Sequence, residues 1–474
     1  MDEHKKDGSC LYSPFRGLGG SLIRCKIDKT SFSSPFSVLG GRLLIIAFSF
    51  TLVLNAQNVI IDGEIRPRTE YRDGYGKPLL TTNDPGIFTI QRTRLGLTFT
   101  SGLLTTQITL QDARTYGQAA NASDVATTGI YEAWGEMLVV PGGSFKIGRQ
   151  ALNYDDKRLF SSPAWSNTGT AHDIGLFKYN INDFQAHVGF AYNNNSAISS
   201  ESYYTAMTKY RYLNFLWLSK DIINGLNISA IIVDEGVQDT TGTKNTTTNY
   251  LKTKLYHAFT YGGNLKFQSD SCPVSALATV YFQGGKNATG KTLNGMLLAI
   301  KVDYKIVDFL TVNIGADYLS GDNNSTTDVI QSNFKKLYGA DHNFNGVMDY
   351  WDIPVTQGLL DYYVGVSSKI DKNLTLEGAY HVYNTEFAGK NKKSIDFGKE
   401  LGSEFDLIAT YKLNKWATVQ AGYCKYFTNN NTLIAKDLVV KAGVIPEVRS
   451  PQWAYVMFTV KIPPTLPPNP LKGE

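Results

Sequence analysis

Six ionisable residues occupy alternate positions of one short segment: Asp62, Glu64, Arg66, Arg68, Glu70 and Arg72. Extended backbone sends successive side chains to opposite faces, so a strand here gathers all six on one face and leaves Ile61 and Ile65 on the other. The next such segment, residues 88–100, sets Arg92 and Arg94 against Leu95, Leu97 and Phe99. If the two are sequential antiparallel strands, Arg66, Arg68, Arg92 and Arg94 become neighbours. Four guanidinium groups repel one another unless matched. Glu64 and Glu70 offer part of the match, and the carboxylates of a passing polyanion could supply the rest through planar, bidentate hydrogen bonds. The same residues could instead brace a wall through ion pairs.

A second basic set comprises Arg114, Lys146, Arg149, Lys157 and Arg158. Alternation from Phe145 and Ile147 turns Arg149 away from the charged face, unless the strand bulges or ends near Gly148. A third constellation has the D-x-N-x-N-G spacing of a calcium loop: Asp341, Asn343, Asn345 and Gly346, with Asp349 at position nine and Asp352 at position twelve. No helices flank it and Asp replaces the usual bidentate Glu, so a polar turn-forming loop is the competing expectation. The six histidines form no metal spacing, and no Ser-His-acid set suggests catalysis. The expectation is a protein that is not an enzyme and has no cofactor, apart from a possible Ca2+ in this loop.

The elements that position these residues are short alternating segments from residue 58 onward, about 18 in number. In 184–192, Phe184, Ala186, Val188, Phe190 and Tyr192 oppose Gln185, His187 and Gly189; in 296–305, Met296, Leu298, Ile300, Val302 and Tyr304 oppose Lys301, Asp303 and Lys305. The joints alternate in length. Ser101-Gly102, 141–143, Ile181-Asn182, 220–225, 269–273, 306–308, 371–373 and Asn414-Lys415 are short, whereas 72–86, 117–128, 193–209, 236–251, 321–355 and 428–450 are long and polar. Tight turns on one side and long loops on the other mark an outer-membrane barrel, with turns facing the periplasm and loops outside. The predicted fold is therefore all-β: a single transmembrane antiparallel β-barrel of about 18 strands in the bacterial outer membrane. Its lumen has the width class of an aqueous pore unless loops fold in.

The apolar run Leu43–Leu54 follows Arg42 and ends at Asn55-Ala56-Gln57, which reads as a secretory signal within a presequence over 1–57. The barrel then spans 58–462, and 463–474 is a Pro-rich tail. The presequence holds seven basic and four acidic residues, so the formal charge of +4 falls to 39 basic against 38 acidic in the remainder. Nucleic-acid binding has no electrostatic support. Beyond the presequence, Cys272 and Cys424 look like unpaired thiols rather than a disulfide framework.

Several stretches resemble the alginate export family of outer-membrane barrels. These are Phe145-Lys146-Ile147-Gly148-Arg149-Gln150, followed by Arg158-Leu159-Phe160, Trp165-Ser166-Asn167 and His172-Asp173. Similar too are Gln91-Arg92-Thr93-Arg94-Leu95-Gly96, Gln111-Asp112-Ala113-Arg114, Leu337-Tyr338-Gly339, His342 through Asp349-Tyr350-Trp351, and Glu400–Leu407. The resemblance implies an 18-stranded porin-like barrel that passes an anionic exopolysaccharide through a constriction of lumen arginines. By motif, Arg92, Arg94, Arg114, Arg149 and Arg158 carry over, and Arg66 and Arg68 match the opening strand. The expected partners are outer-membrane lipid, an anionic polysaccharide and periplasmic export proteins. Uptake of small anionic solutes, or a closed barrel acting as a surface adhesin, are the alternatives.

Overall fold

The computed structural model describes residues 58–118, 128–199, 210–238, 255–323, 329–352 and 354–462, all within one compact unit. The expected presequence (1–57) and tail (463–474) lie outside the described residues.

Eighteen antiparallel strands form one sheet: β1 (Asn58–Asp73), β2 (Gly86–Ser101), β3 (Leu104–Thr115), β4 (Thr128–Val140), β5 (Gly143–Gln150), β6 (His172–Ile181), β7 (Phe184–Tyr192), β8 (Tyr212–Ile223), β9 (Leu226–Gln238), β10 (Leu255–Gln268), β11 (Val274–Gly285), β12 (Met296–Val307), β13 (Leu310–Leu319), β14 (Leu359–Lys369), β15 (Leu374–Asn384), β16 (Glu400–Lys412), β17 (Ala417–Phe427) and β18 (Gln452–Ile462). Each strand pairs with the next, and β18 pairs with β1, so the sheet closes on itself. Closure removes every free edge, which a sheet in hydrocarbon requires. The seam skips Arg66 and Pro67, where the proline has no N–H to give.

Parity separates the two surfaces. Ile65, Leu97, Ile108, Ile147, Phe190, Ile232, Ile300, Ile314, Val364, Leu407 and Val456 all face outward and are exposed. In water such a belt would be an aggregation surface; on a closed barrel it is the face that meets lipid.

All eight expected short turns are present, and they share one end of the barrel. The opposite end carries the long connections, including three that the sequence pattern did not mark: 151–171, 286–295 and 385–399. The first of these governs the lumen. The described parts of the 151–171, 320–358 and 428–451 loops fold inward, and the extracellular half of the barrel encloses a core. Trp351, Tyr350 and Met348 from the 320–358 loop pack with Trp453 of β18, Tyr426 of β17, Tyr383 of β15 and Leu433 of the short helix α1 (Asn430–Ala435). Tyr350 stacks on Tyr426 with ring centroids 3.8 Å apart, and the Trp351 indole N–H donates to the Tyr426 hydroxyl at 3.0 Å.

Candidate functional site

The β1–β2 register pairs Arg66 directly with Arg92 and Glu64 with Arg94. The four lumen arginines do come together, and Arg66, Arg68 and Arg92 are each less than 5 % exposed. Two carboxylates take part of their charge. Arg92 donates through Nε and Nη2 to Oε1 of Glu64, at 2.9 and 2.6 Å. Arg68 Nε donates to Glu70 at 2.8 Å, and Glu70 also accepts from Arg72.

The remaining donors meet main-chain carbonyls of the 151–171 loop. Arg66 donates to Ala164 O, to Trp165 O at 3.1 Å and to Ser166 O at 2.9 Å. Arg68 Nη1 donates to Trp165 O at 2.8 Å, and its guanidinium lies 3.6 Å from the centre of the Trp165 ring. Arg92 Nη1 donates to Ala164 O and Ser166 O at 3.2 and 2.9 Å. Arg94 donates to Thr168 O at 3.0 Å and to Gln111 Oε1 at 2.8 Å, with its guanidinium over the Tyr131 ring. A row of neutral oxygens thus accepts from the donors that Glu64 and Glu70 leave.

Two local features let the loop sit so close. Gly169 adopts φ +76, and a Cβ there would lie 2.6 Å from Arg94 Nη2; only glycine takes both the dihedral and the approach easily. Trp165 anchors the other end. It stacks on His342 at 4.3 Å, meets Trp453 and Tyr455 edge-on, and so ties the 151–171 loop to the 320–358 loop.

Arg158 also faces the lumen, at a separate place. It donates to both oxygens of Asp317 at 2.8 Å and pairs with Asp156 at 3.0 Å, while Phe344 covers its guanidinium. Burial works against its charge, but these two carboxylates outweigh that and leave its pKa raised. Between this pair and the quartet lies a cavity of about 750 Å³, lined by Arg66, Arg158, Asp317, His381, Asp406 and Gln420 among others.

Arg114 and Arg149 do not belong to this set. Arg149 pairs in register with Asp173, and the two form an ion pair at 3.0 Å on the outer face beside Ile147. Gly148 has φ +127, yet Arg149 keeps the outward parity that alternation gives. Arg114 lies outward with Asp112, on the parity of Leu110 and Ile108, and pairs with it at 2.6 Å. Neither faces the lumen.

The side chains of the calcium-like spacing each have other neighbours. Asp349 accepts from Tyr75 and pairs with His342 at 2.8 Å. Asn345 Nδ2 is 3.5 Å from Asp361, and Asp352 is 4.0 Å from Lys336. Asn343 lies in a 3-10 turn, residues 341–343, and the Asp341 side chain is outside the described atoms. No three His, Cys, Asp or Glu side chains among the described residues converge as metal ligands. Asn345 Oδ1 and Asp352 Oδ1 are buried without a hydrogen-bond partner among the described residues.

The sequence pattern missed the acceptors on the 151–171 loop because they are main-chain atoms, which any residue supplies. Gln111, the Arg94 partner, was legible only as part of a motif.

Residues 60–192 match the alginate export family model. No curated protein is significantly similar in sequence. Among solved structures, Pseudomonas aeruginosa OccK5 (OpdH) is 13 % identical with a TM-score of 0.56, covering 86 % of this chain and 98 % of its own. OccK9 (OpdG) of the same organism is 10 % identical with a TM-score of 0.56, covering 86 % and 99 %. The structure of its OpdK with vanillate is 11 % identical with a TM-score of 0.54, covering 85 % and 98 %. Identities this low establish the fold. The segment β1–β7, which holds the arginine quartet and the loop that caps it, therefore carries the alginate export family signature within a closed 18-stranded outer-membrane barrel of porin type.

Proposed function

We propose that this barrel is an outer-membrane channel for an anionic, uronic-acid-type polysaccharide, which passes the quartet Arg66, Arg68, Arg92 and Arg94 once the 164–168 segment moves aside. One observation carries the proposal: four clustered guanidiniums are matched by only two carboxylates, and neutral carbonyls complete the rest. Carboxylates are stronger acceptors for guanidinium than amide carbonyls, so an arriving polyanion competes for the same donors. Arg158 faces the cavity beside the quartet; its pairing with Asp156 and Asp317 gives it a bracing part. Replacing 164–168 with a Gly-Ser stretch removes the Trp165 anchor and tests the arrangement. In planar bilayers the replacement should conduct more than the unaltered protein, and uronate oligomers should block it. Equal conductance, or indifference to the oligomers, would count against the proposal.

A second reading, uptake of small anionic solutes, has its own support. The lumen cavity of about 750 Å³ suits a single small ligand, and the OpdK structure named above contains vanillate, a small aromatic carboxylate. Competition between uronate oligomers and small carboxylates for current block separates the two.

A further inference from the structure

Three oxygens deep in the barrel have no hydrogen-bond partner among the described residues: Oε2 of Glu404, Oδ1 of Asp406 and Oδ1 of Asn345. Their side chains belong to residues that are 0, 4 and 2 % exposed. Glu404 and Asp406 stand two apart on β16, so alternation turns both into the lumen, and their carboxyl groups lie within hydrogen-bond reach of each other. Asn345 comes from the 320–358 loop and points into the same cluster, with its Nδ2 3.5 Å from Asp361.

The loop is fitted to this place. Asn345 at φ +61 and Gly346 at φ +79 are both left-handed, and a Cβ on Gly346 would run into Glu404 Oε1 and the Tyr383 hydroxyl. The Met348 N–H donates to that same Oε1 at 2.8 Å, and the Tyr383 hydroxyl donates to the Asn345 carbonyl at 3.0 Å.

Negative charge is left over. Arg158 serves Asp156 and Asp317; His381 serves Asp361 at 2.9 Å, with its Nε2 3.9 Å from Asp406. Among the described residues no cation stands within ion-pair distance of Glu404. Buried carboxylates are paired, protonated or bound to metal. One proton shared by Glu404 and Asp406 would satisfy those two groups and leave the Asn345 carbonyl unmet. A cation meets all three. Two carboxylates and an amide oxygen, without nitrogen or sulfur, suit a hard ion that tolerates irregular coordination, calcium rather than zinc or magnesium. Asn345, Gly346, His381 and Asp406 line the lumen cavity of about 750 Å³, which gives an ion a way in.

We infer that Glu404, Asp406 and Asn345 form a calcium site that fastens the 320–358 loop to β16. It takes only Asn345 from the 341–352 spacing, and it does not depend on what the channel carries.

The test uses the full barrel, purified in detergent and stripped with EDTA, with terbium as the probe. Tyr383 bonds the Asn345 main chain and lies 6.5 Å from the Trp351 ring, so both rings are placed to sensitise terbium emission. The unaltered protein should give saturable emission that calcium displaces with a midpoint of about 0.1–1 mM and that potassium does not displace. E404Q/D406N should weaken terbium binding by about tenfold or more, and D352N should bind as the unaltered protein does. N345A, which leaves the wall carboxylates in place, should weaken binding by less and guards against misfolding in the double variant; heat-modifiable gel mobility shows that each variant is folded. Calcium should also slow hydrogen exchange over 343–351 in the unaltered protein and have no effect there in E404Q/D406N. No saturable emission, or emission from folded E404Q/D406N equal to that of the unaltered protein, would overturn the site. Exchange over 343–351 that ignores calcium would overturn its fastening of the loop.

Discussion

Arg66 and Arg92 face each other across the β1–β2 register and donate to the same two carbonyls, those of Ala164 and Ser166. Two like charges are thereby held side by side by a segment that belongs to neither strand, with the Glu64 carboxylate bonded to Arg92. The wall stores cationic potential and the loop shields it. Opening the lumen therefore requires that another acceptor take over those donors, or that the guanidiniums be exposed to water.

Gly169 sets how closely the loop can approach. In Gly169→Ala, a Cβ would meet Arg94 Nη2 at 2.6 Å and the Tyr131 ring at 3.1 Å, at a φ of +76. The substitution should weaken loop docking by about 1 kcal/mol or more. Hydrogen exchange should show faster exchange over 164–168, with the barrel strands unchanged.

Trp165 joins two loops to the wall through one stacked histidine, two edge-on aromatic rings and the Arg68 guanidinium. With aromatic pairs contributing roughly 0.5–1.5 kcal/mol each, Trp165→Ala should weaken loop docking by about 2 kcal/mol or more. Single-channel records should then show longer open periods. Records identical to those of the unaltered protein would mean that this ring does not hold the loop.

Removing one member of the Arg158–Asp317 pair should be costly for a different reason. In Arg158→Met, Asp156 and Asp317 remain buried without their cation, a loss of about 3–5 kcal/mol. A lower unfolding temperature on heat-modifiable gel mobility reads it out. The double variant Arg158→Met with Asp317→Asn should recover part of the loss.

Lys436 supplies a pH dependence outside the strands. Burial pushes its ammonium down to about 8, against the opposing pull of Asp352 and Glu404 and helped by Lys77. Below about 8 it is charged in both the docked and the released loop, and the burial penalty is present in full. Between that value and its ordinary pKa near 10.5, the docked form is neutral while the released form still binds a proton, so docking strengthens as pH rises. Protection of 430–439 against exchange, corrected for intrinsic rates, should be greater at pH 9.5 than at pH 7. Lys436→Met should remove that increment.

What the sequence made legible follows from periodicity. Alternation placed Arg66, Arg68, Arg92 and Arg94 on one face, and antiparallel succession made them neighbours, because both rules act locally on the chain. Alternation also turned Arg149 outward, where the structure keeps it; the family motif alone had drawn it and Arg114 into the lumen. The inward fold of 151–171 was not legible, since its acceptors are carbonyls and its anchor, Trp165, finds His342 only through tertiary packing. The partners of the 341–352 loop were not legible for the same reason: Tyr75, Asp361 and Lys336 lie far away in sequence or on other elements.

Ion selectivity tests the central claim most directly. Under a KCl gradient in a planar bilayer, the reversal potential of the unaltered protein should show anion preference, and R92E/R94E should shift it toward cations. R114A/R149A, on the outer face, should leave it unchanged. Cation preference in the unaltered protein, or an R92E/R94E reversal potential equal to that of the unaltered protein, would contradict the account.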